Sequence, residues 1–267
     1  MFQKSPVHEI GKPITSENHI QPQEEELGTT LLSRGSTYYL ALYFMRSEAR
    51  LRHLLAFDFA DAAPGVSEAE VDAARHAWAE AFLHLCRKLT LRAVRKGVGG
   101  NNGAPRLLLK SPIHTARIPL IRSLFPNARF IYVHRNPYEV FSSSCHMADT
   151  AYWHMYLCAP PSDAQVTEYI LWQYDAYWDK YEAARKDLPP GALTEIPFRM
   201  LAEDPLRALD KVYADLDLGA LPVALYQPVV EQLSGYQPNT HQQLPAQLRG
   251  RVAARWRGSF ERLGYPV

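Results

Sequence analysis

Two apolar runs constrain this chain more than any other feature. Arg106-Leu-Leu-Leu-Lys110 and Arg129-Phe-Ile-Tyr-Val-His134 are short and almost uniformly apolar, and each reads as a strand covered on both faces. A helix-start signal follows each one at once: Ser111-Pro112 after the first, Asn136-Pro137 after the second. Serine and asparagine accept hydrogen bonds from the free N–H groups of a first turn. Proline suits the first helical position because its missing N–H would be unpaired there. Ile113, Ala116, Leu120, Ile121 and Leu124 give the intervening helix one apolar face. Strand, helix, strand, helix at this spacing is a βαβ unit with parallel strands. The expected fold class is α/β, three layers with a parallel sheet between helices.

The rest of the chain fits a single domain over residues 1–267. The length allows one sizeable core, with 47% hydrophobic and 21% charged residues. Residues 1–30 read as an irregular leading segment, punctuated by Pro6, Pro13 and Pro22. The apolar stretch that runs on to Phe44 is expected to hold short helices. Ser67-x-x-Glu70 is a capping box, and Val71, Ala74, Trp78, Phe82, Leu85 and Leu89 then recur at helical spacing. This helix fades into a loop rich in glycine and asparagine. Residues 163–186 read as an aromatic-rich helix and 192–198 as a further strand. Asp204-Pro205 opens the next helix, and two more are expected before Val267.

Composition excludes several classes. A formal net charge of +1 gives no chain-wide attraction to nucleic acid or to an anionic membrane, and leaves only local positive charge to matter. Three cysteines at irregular spacing form neither a disulfide framework nor a zinc site, and point to free thiols in a reducing compartment, the cytoplasm. No run of 18 apolar residues offers a transmembrane segment, and the polar opening residues do not read as a signal peptide. His134, His146 and His154 fit no metal-ligand spacing. The aromatic stripe that includes Tyr169, Trp172, Tyr174 and Trp178 has two readings, packing core or acceptor cleft.

Ligands of open α/β sheets bind outside the carboxyl ends of the strands. Lys110 and Arg135 stand at those two ends. Each precedes a helix N-terminus, where free N–H groups and the positive end of the helix dipole attract anions. The planar fork of arginine suits phosphate. Ser143 lies eight residues past Arg135, on the second turn of its helix, within reach of the same anion. A lone arginine before Asn-Pro is ordinarily a surface cap. Two basic strand ends, each followed by a proline-started helix, favour a phosphate site.

At these residues the sequence resembles the sulfotransferase family of P-loop-like fold, in the broad branch that includes relatives of the tyrosylprotein sulfotransferases. The resemblance covers most of the chain. Arg135 and Ser143 match an Arg-x7-Ser element that grips the 3′-phosphate of the donor PAPS (3′-phosphoadenosine 5′-phosphosulfate). "LLLKSPIHTARIPLIRSLFPNARFIYVHRNP" is similar to the family's LKSP…FP-(D/N)-A…R-(D/N)-P region. "PQEEE" at 22–26 resembles a Pro-Gln-Glu-Asp-Glu motif. "EIPFRMLAEDPLRAL", "GYQPNTHQQL" and "RWRGSFERLGY" are similar to later family segments. The family opens with a strand and an "SGTT"-type loop that holds the 5′-phosphosulfate. The Gly-Thr-Thr at 28–30 follows acidic residues rather than an apolar strand, so the chain is expected to start after that loop and to lack the first strand.

The resemblance implies transfer of a sulfuryl group from PAPS to a hydroxyl or amine, without a metal. Catalysis then needs a base for the acceptor proton and a cation for the leaving oxygen. By resemblance Lys110 is the cation. Glu24, Glu25 and Glu26, or His114 one turn beyond Lys110, are candidate bases, with Glu25 and His114 preferred. Tyr236, Asn239 and His241 resemble the segment that folds over the donor. Expected partners are a small-molecule, lipid, glycan or peptide acceptor, and no nucleic acid. The alternative is a non-catalytic relative that keeps only the 3′-phosphate site. A nucleotide kinase is disfavoured because no Gly-x4-Gly-Lys-(Ser/Thr) loop is present.

Overall fold

The sheet consists, among the described residues, of two strands. β1 (Phe130–His134) pairs parallel with β2 (Leu193–Pro197), Phe130 opposite Leu193 and His134 opposite Pro197. A computed structural model describes residues 25–98, 105–232 and 243–267. The chain divides into two compact units, one of Met1–His114 with Met147–Tyr169, the other of Thr115–His146 with Ile170–Val267.

The first unit is helical. It holds α1 (Glu25–Leu32), α2 (Tyr39–Tyr43), several 3-10 turns, and α3 (Glu68–Arg95). Thus residues 25–30, expected to be irregular, are helical. The capping box starts α3: Glu70 N–H donates to Ser67 Oγ at 3.3 Å, and Ser67 N–H donates to the Glu70 carboxylate at 2.8 Å. Val71, Trp78, Phe82 and Cys86 are the buried face of α3. α1 packs closely on it, because a Cβ at Gly28 would stand 3.1 Å from a Leu85 methyl. Residues 106–110 are a correction. They alternate in exposure as extended chain does, but no strand pairs with them among the described residues, and Leu108 is 86% exposed. Without a ladder partner an apolar run is not a strand, so among the described residues the βαβ unit expected over 106–134 is not formed.

The second unit is built on the sheet. Its helices are α4 (Ile118–Leu124), α7 (Phe198–Glu203), α8 (Pro205–Asp215), α9 (Val223–Gln232), α10 (Ala246–Arg255) and α11 (Arg257–Leu263). Two more, α5 (Pro137–Thr150) and α6 (Asp163–Lys186), each have residues assigned to both units. One sheet face, Phe130, Tyr132 and Leu193, packs on Ile118 of α4 and on Trp178, Tyr181 and Ala184 of α6. On the other face Ile196 packs on Ala208 and Val212 of α8. This is an α/β arrangement with helices on both sides of a parallel pair.

Three further details differ from expectation. β1 is not covered on both faces, since Ile131 and Val133 are 40% and 43% exposed. The helix expected over 112–124 is broken at Arg117 into a 3-10 turn (Pro112–Ala116) and α4. Pro119 explains the break: it has no N–H for the carbonyl four residues back and its ring collides with that carbonyl, so the helix restarts with the proline in its first turn. After α8 three helices follow among the described residues rather than two, and α9 contains Pro228. Among the described residues, no helix is long and apolar enough to cross a membrane.

Candidate active site

Glu25 is the first residue of α1 and is 8% exposed. Its Oε1 accepts a hydrogen bond from the Lys110 backbone N–H at 2.8 Å. Its Oε2 lies 3.5 Å from His114 Nε2, an ion-pair distance too long for a good hydrogen bond. The 3-10 turn after Lys110 brings His114 there, and the Phe82 ring meets the imidazole edge-on, with centroids 5.6 Å apart. Glu25 Oε2, Ser111 Oγ and both His114 ring nitrogens are buried and make no hydrogen bond. Buried polar atoms are ordinarily satisfied, so these four, two of which face each other across the 3.5 Å gap, make this cluster a candidate site.

Burial alone would raise the Glu25 carboxyl. The His114 imidazole and the N–H groups of Glu25 and Lys110 outweigh it and hold that carboxyl below the ordinary carboxylate range. The charge reaches α3: burial first, then Glu25, pushes the Cys86 thiol up to about 11. Glu26 differs completely. It is wholly buried, and it accepts from the Trp78 indole N–H at 2.9 Å, Thr37 Oγ1 at 3.0 Å and Thr29 Oγ1 at 3.3 Å. Its oxygens are used within the unit. Thr29 and Thr30 lie on α1, with hydroxyls turned back to Glu26. Glu24 lies outside the described residues.

In the second unit Arg135 follows β1 and Phe198 follows β2. Because His134 pairs with Pro197, the two emerge side by side, and the Arg135 guanidinium lies over the Phe198 ring, 3.5 Å from its centroid. Asn136 caps α5 by accepting from the Tyr138 N–H at 2.9 Å. Ser143 sits half-buried on the second turn. Among the described residues no carboxylate pairs with Arg135, and no hydrogen bond joins it to Ser143. An arginine held over a ring at a helix N-terminus, with no acidic partner among the described residues, fits a phosphate. Phe198 is the residue that sequence reasoning missed; its only signal is its place directly after a strand, like Arg135.

His134 is structural. Its Nδ1 is 2.8 Å from the Tyr265 hydroxyl, and burial holds the imidazole below its ordinary range. Within the aromatic stripe Tyr169 is buried and Tyr174 stacks on Trp256 at 4.0 Å, as packing core does. Tyr236, Asn239 and His241 lie outside the described residues. Among the described residues, no cluster of histidine, cysteine, aspartate and glutamate could hold a metal ion.

Comparison with known proteins places residues 19–221 in the family described as "Sulfotransferase family". The chain is similar to omega-hydroxy-beta-dihydromenaquinone-9 sulfotransferase Stf3 of Mycobacterium bovis, 29% identical over 163 residues, which are 60% of this chain and 41% of the relative. The protein of that name from Mycobacterium tuberculosis matches to the same extent. The chain thus spans about two fifths of the length of these curated relatives. No solved structure matches.

Proposed function

The chain is a member of the sulfotransferase family, and from that membership we propose that it transfers a sulfuryl group from PAPS to a hydroxyl on a lipid-like acceptor. The acceptor class is taken from the named relatives, whose substrate is an ω-hydroxylated dihydromenaquinone. When bound, the donor supplies an activated sulfuryl group on its 5′-phosphate. Arg135 and Ser143 hold its 3′-phosphate. Glu25, with its Oε2 set against His114, accepts the proton of the attacking hydroxyl. The acceptor oxygen forms a new bond to sulfur as the bond from sulfur to the 5′-phosphate oxygen breaks. Lys110 meets the negative charge gained by that oxygen. The products are a sulfate ester and adenosine 3′,5′-bisphosphate.

The observation that carries the donor reading is Arg135, held on Phe198 at the N-terminus of α5 without an acidic partner among the described residues. Calorimetry with adenosine 3′,5′-bisphosphate tests it. Arg135→Ala removes a charge-assisted bidentate contact, at a cost of about 1.5–3 kcal/mol, or roughly 10- to 150-fold in affinity. Equal affinity of wild type and variant would end the assignment.

A further inference from the structure

Charge along this chain is segregated. From Ala81 to Tyr138 there is no aspartate or glutamate, against eleven lysines and arginines. The other 18 cations are set against all 28 acids, so the net +1 conceals a strongly basic stretch. Lys110 and Arg135 belong to the proposed site. The C-terminal part of α3 does not. Its first half carries Glu68, Glu70, Asp72 and Glu80; its second carries Arg87, Lys88, Arg92, Arg95 and, just past its end, Lys96. These five cations are all exposed, and none is ion-paired among the described residues.

Apolar residues stand among them. Lys88, Leu91, Arg92, Arg95 and Lys96 recur at helical spacing and line one shallow groove of about 340 Å³. Leu91 and Val94 are each 50% exposed and Val98 56%. α1, packed on α3, adds Leu27, Leu31 and Leu32, all exposed, Leu31 to 83%. A solvated helix end would mix carboxylates with its cations at i, i+4 and keep leucine inside. The helix dipole favours cations only in the last turn, and Arg87 and Lys88 lie before it.

We infer that the basic end of α3, with the exposed apolar face of α1, docks on an anionic lipid bilayer. The charge complements a surface of lipid phosphates, and the leucines and valines choose it over water-soluble anions, because they enter the boundary between headgroups and acyl chains, where such anions offer them nothing. The inference rests on the proposed lipid acceptor for its purpose, since an acceptor dissolved in a bilayer must be met at the bilayer. Its evidence is separate.

Co-sedimentation of the full chain with vesicles tests it, phosphatidylglycerol mixed into phosphatidylcholine against phosphatidylcholine alone. Binding is expected to the anionic vesicles only. Each lysine or arginine near such a surface contributes on the order of 1 kcal/mol, so the triple variant Lys88→Gln, Arg92→Gln, Arg95→Gln should bind about a hundredfold more weakly. Leu31→Ser with Leu91→Ser should weaken binding at unchanged charge. Both variants should keep wild-type affinity for adenosine 3′,5′-bisphosphate, which shows that they fold and keeps the donor reading apart. Equal binding by wild type and triple variant, or equal binding to neutral vesicles, overturns the inference. So does loss by the triple variant of affinity for single-stranded RNA with vesicle binding intact, which would give the face to nucleic acid. Wild type that binds anionic vesicles but not the nucleotide leaves the inference standing and removes the donor reading.

Discussion

Replacing Glu26 should unfold the first unit far more readily than replacing its neighbour Glu25. The Glu26 side chain has no exposed surface and accepts from Trp78, Thr37 and Thr29. In Glu26→Ala the Thr29 hydroxyl still has the Glu26 carbonyl, 3.1 Å away. The Trp78 indole N–H and the Thr37 hydroxyl lose the acceptor. A buried donor left unsatisfied costs about 1–3 kcal/mol, and the space left by one methylene and a carboxyl adds about 1–2 kcal/mol. Relief of the desolvated charge offsets part of this. A net loss of about 3–5 kcal/mol follows, on the order of 10 °C in melting temperature for a chain of this size. Glu26→Gln keeps the volume and one acceptor, and should lose roughly half as much. Glu25→Gln keeps the acceptor for the Lys110 N–H, so it should melt within a few degrees of wild type while losing turnover. Thermal melts followed by circular dichroism and tryptophan fluorescence decide it. Wild-type melting of Glu26→Ala, or a larger loss in Glu25→Gln, would show that the two roles are exchanged.

Lys110 touches Glu25 through its backbone N–H, so Lys110→Ala leaves that contact in place. It should depress kcat with little change in nucleotide affinity; lost affinity with normal turnover at saturation would make Lys110 a simple anchor. Phe198→Ala removes the ring beneath Arg135 and should weaken adenosine 3′,5′-bisphosphate binding by about 0.5–1 kcal/mol, roughly two- to fivefold by calorimetry; no change would show that the ring does not orient the guanidinium. Because the Glu25 carboxyl is lowered in the folded chain, its stabilisation is present at neutral pH and is lost as pH falls through the folded value. Urea titrations should therefore show wild type and Glu25→Gln converging as pH falls below the ordinary carboxylate range, and divergence there would contradict the sign.

Much of the fold was legible where local chemistry decides it. The capping box of α3, the Asn136-Pro137 start of α5 and the Asp204-Pro205 start of α8 stand where the residues place them. Each depends on atoms within four residues. Strand status does not. Arg106–Lys110 has the composition of a strand and its alternation in exposure, but a strand is a relation to a neighbour, and no residue within the run reports one. The break at Arg117 has a local signal in Pro119, whose missing N–H and ring disfavour a continuous helix, but the apolar periodicity from Ile113 to Leu124 reads as one helix, and α9 does run through Pro228. The contact of Arg135 with Phe198 was not, because it follows from the register of two strands 63 positions apart, as Phe130 opposite Leu193 shows.

The three consecutive glutamates show how far a motif can carry an assignment. As a motif, Glu24, Glu25 and Glu26 are equivalent candidates for one base. On a helix, successive residues turn by about 100°, so neighbours face different surroundings. Glu26 faces α3 and the Thr37 turn, where it meets an indole and hydroxyls that consume it. Glu25, one position earlier, faces the end of the 105–110 segment, where it meets a backbone N–H and an imidazole whose nitrogens are unsatisfied. Gly28 lets α1 lie close on α3, because a Cβ there would stand 3.1 Å from a Leu85 methyl, which would have to give by a few tenths of an ångström. A proton acceptor needs both an ionised carboxyl and a partner for the proton once taken. Of the two described glutamates, Glu25 alone stands beside such a partner.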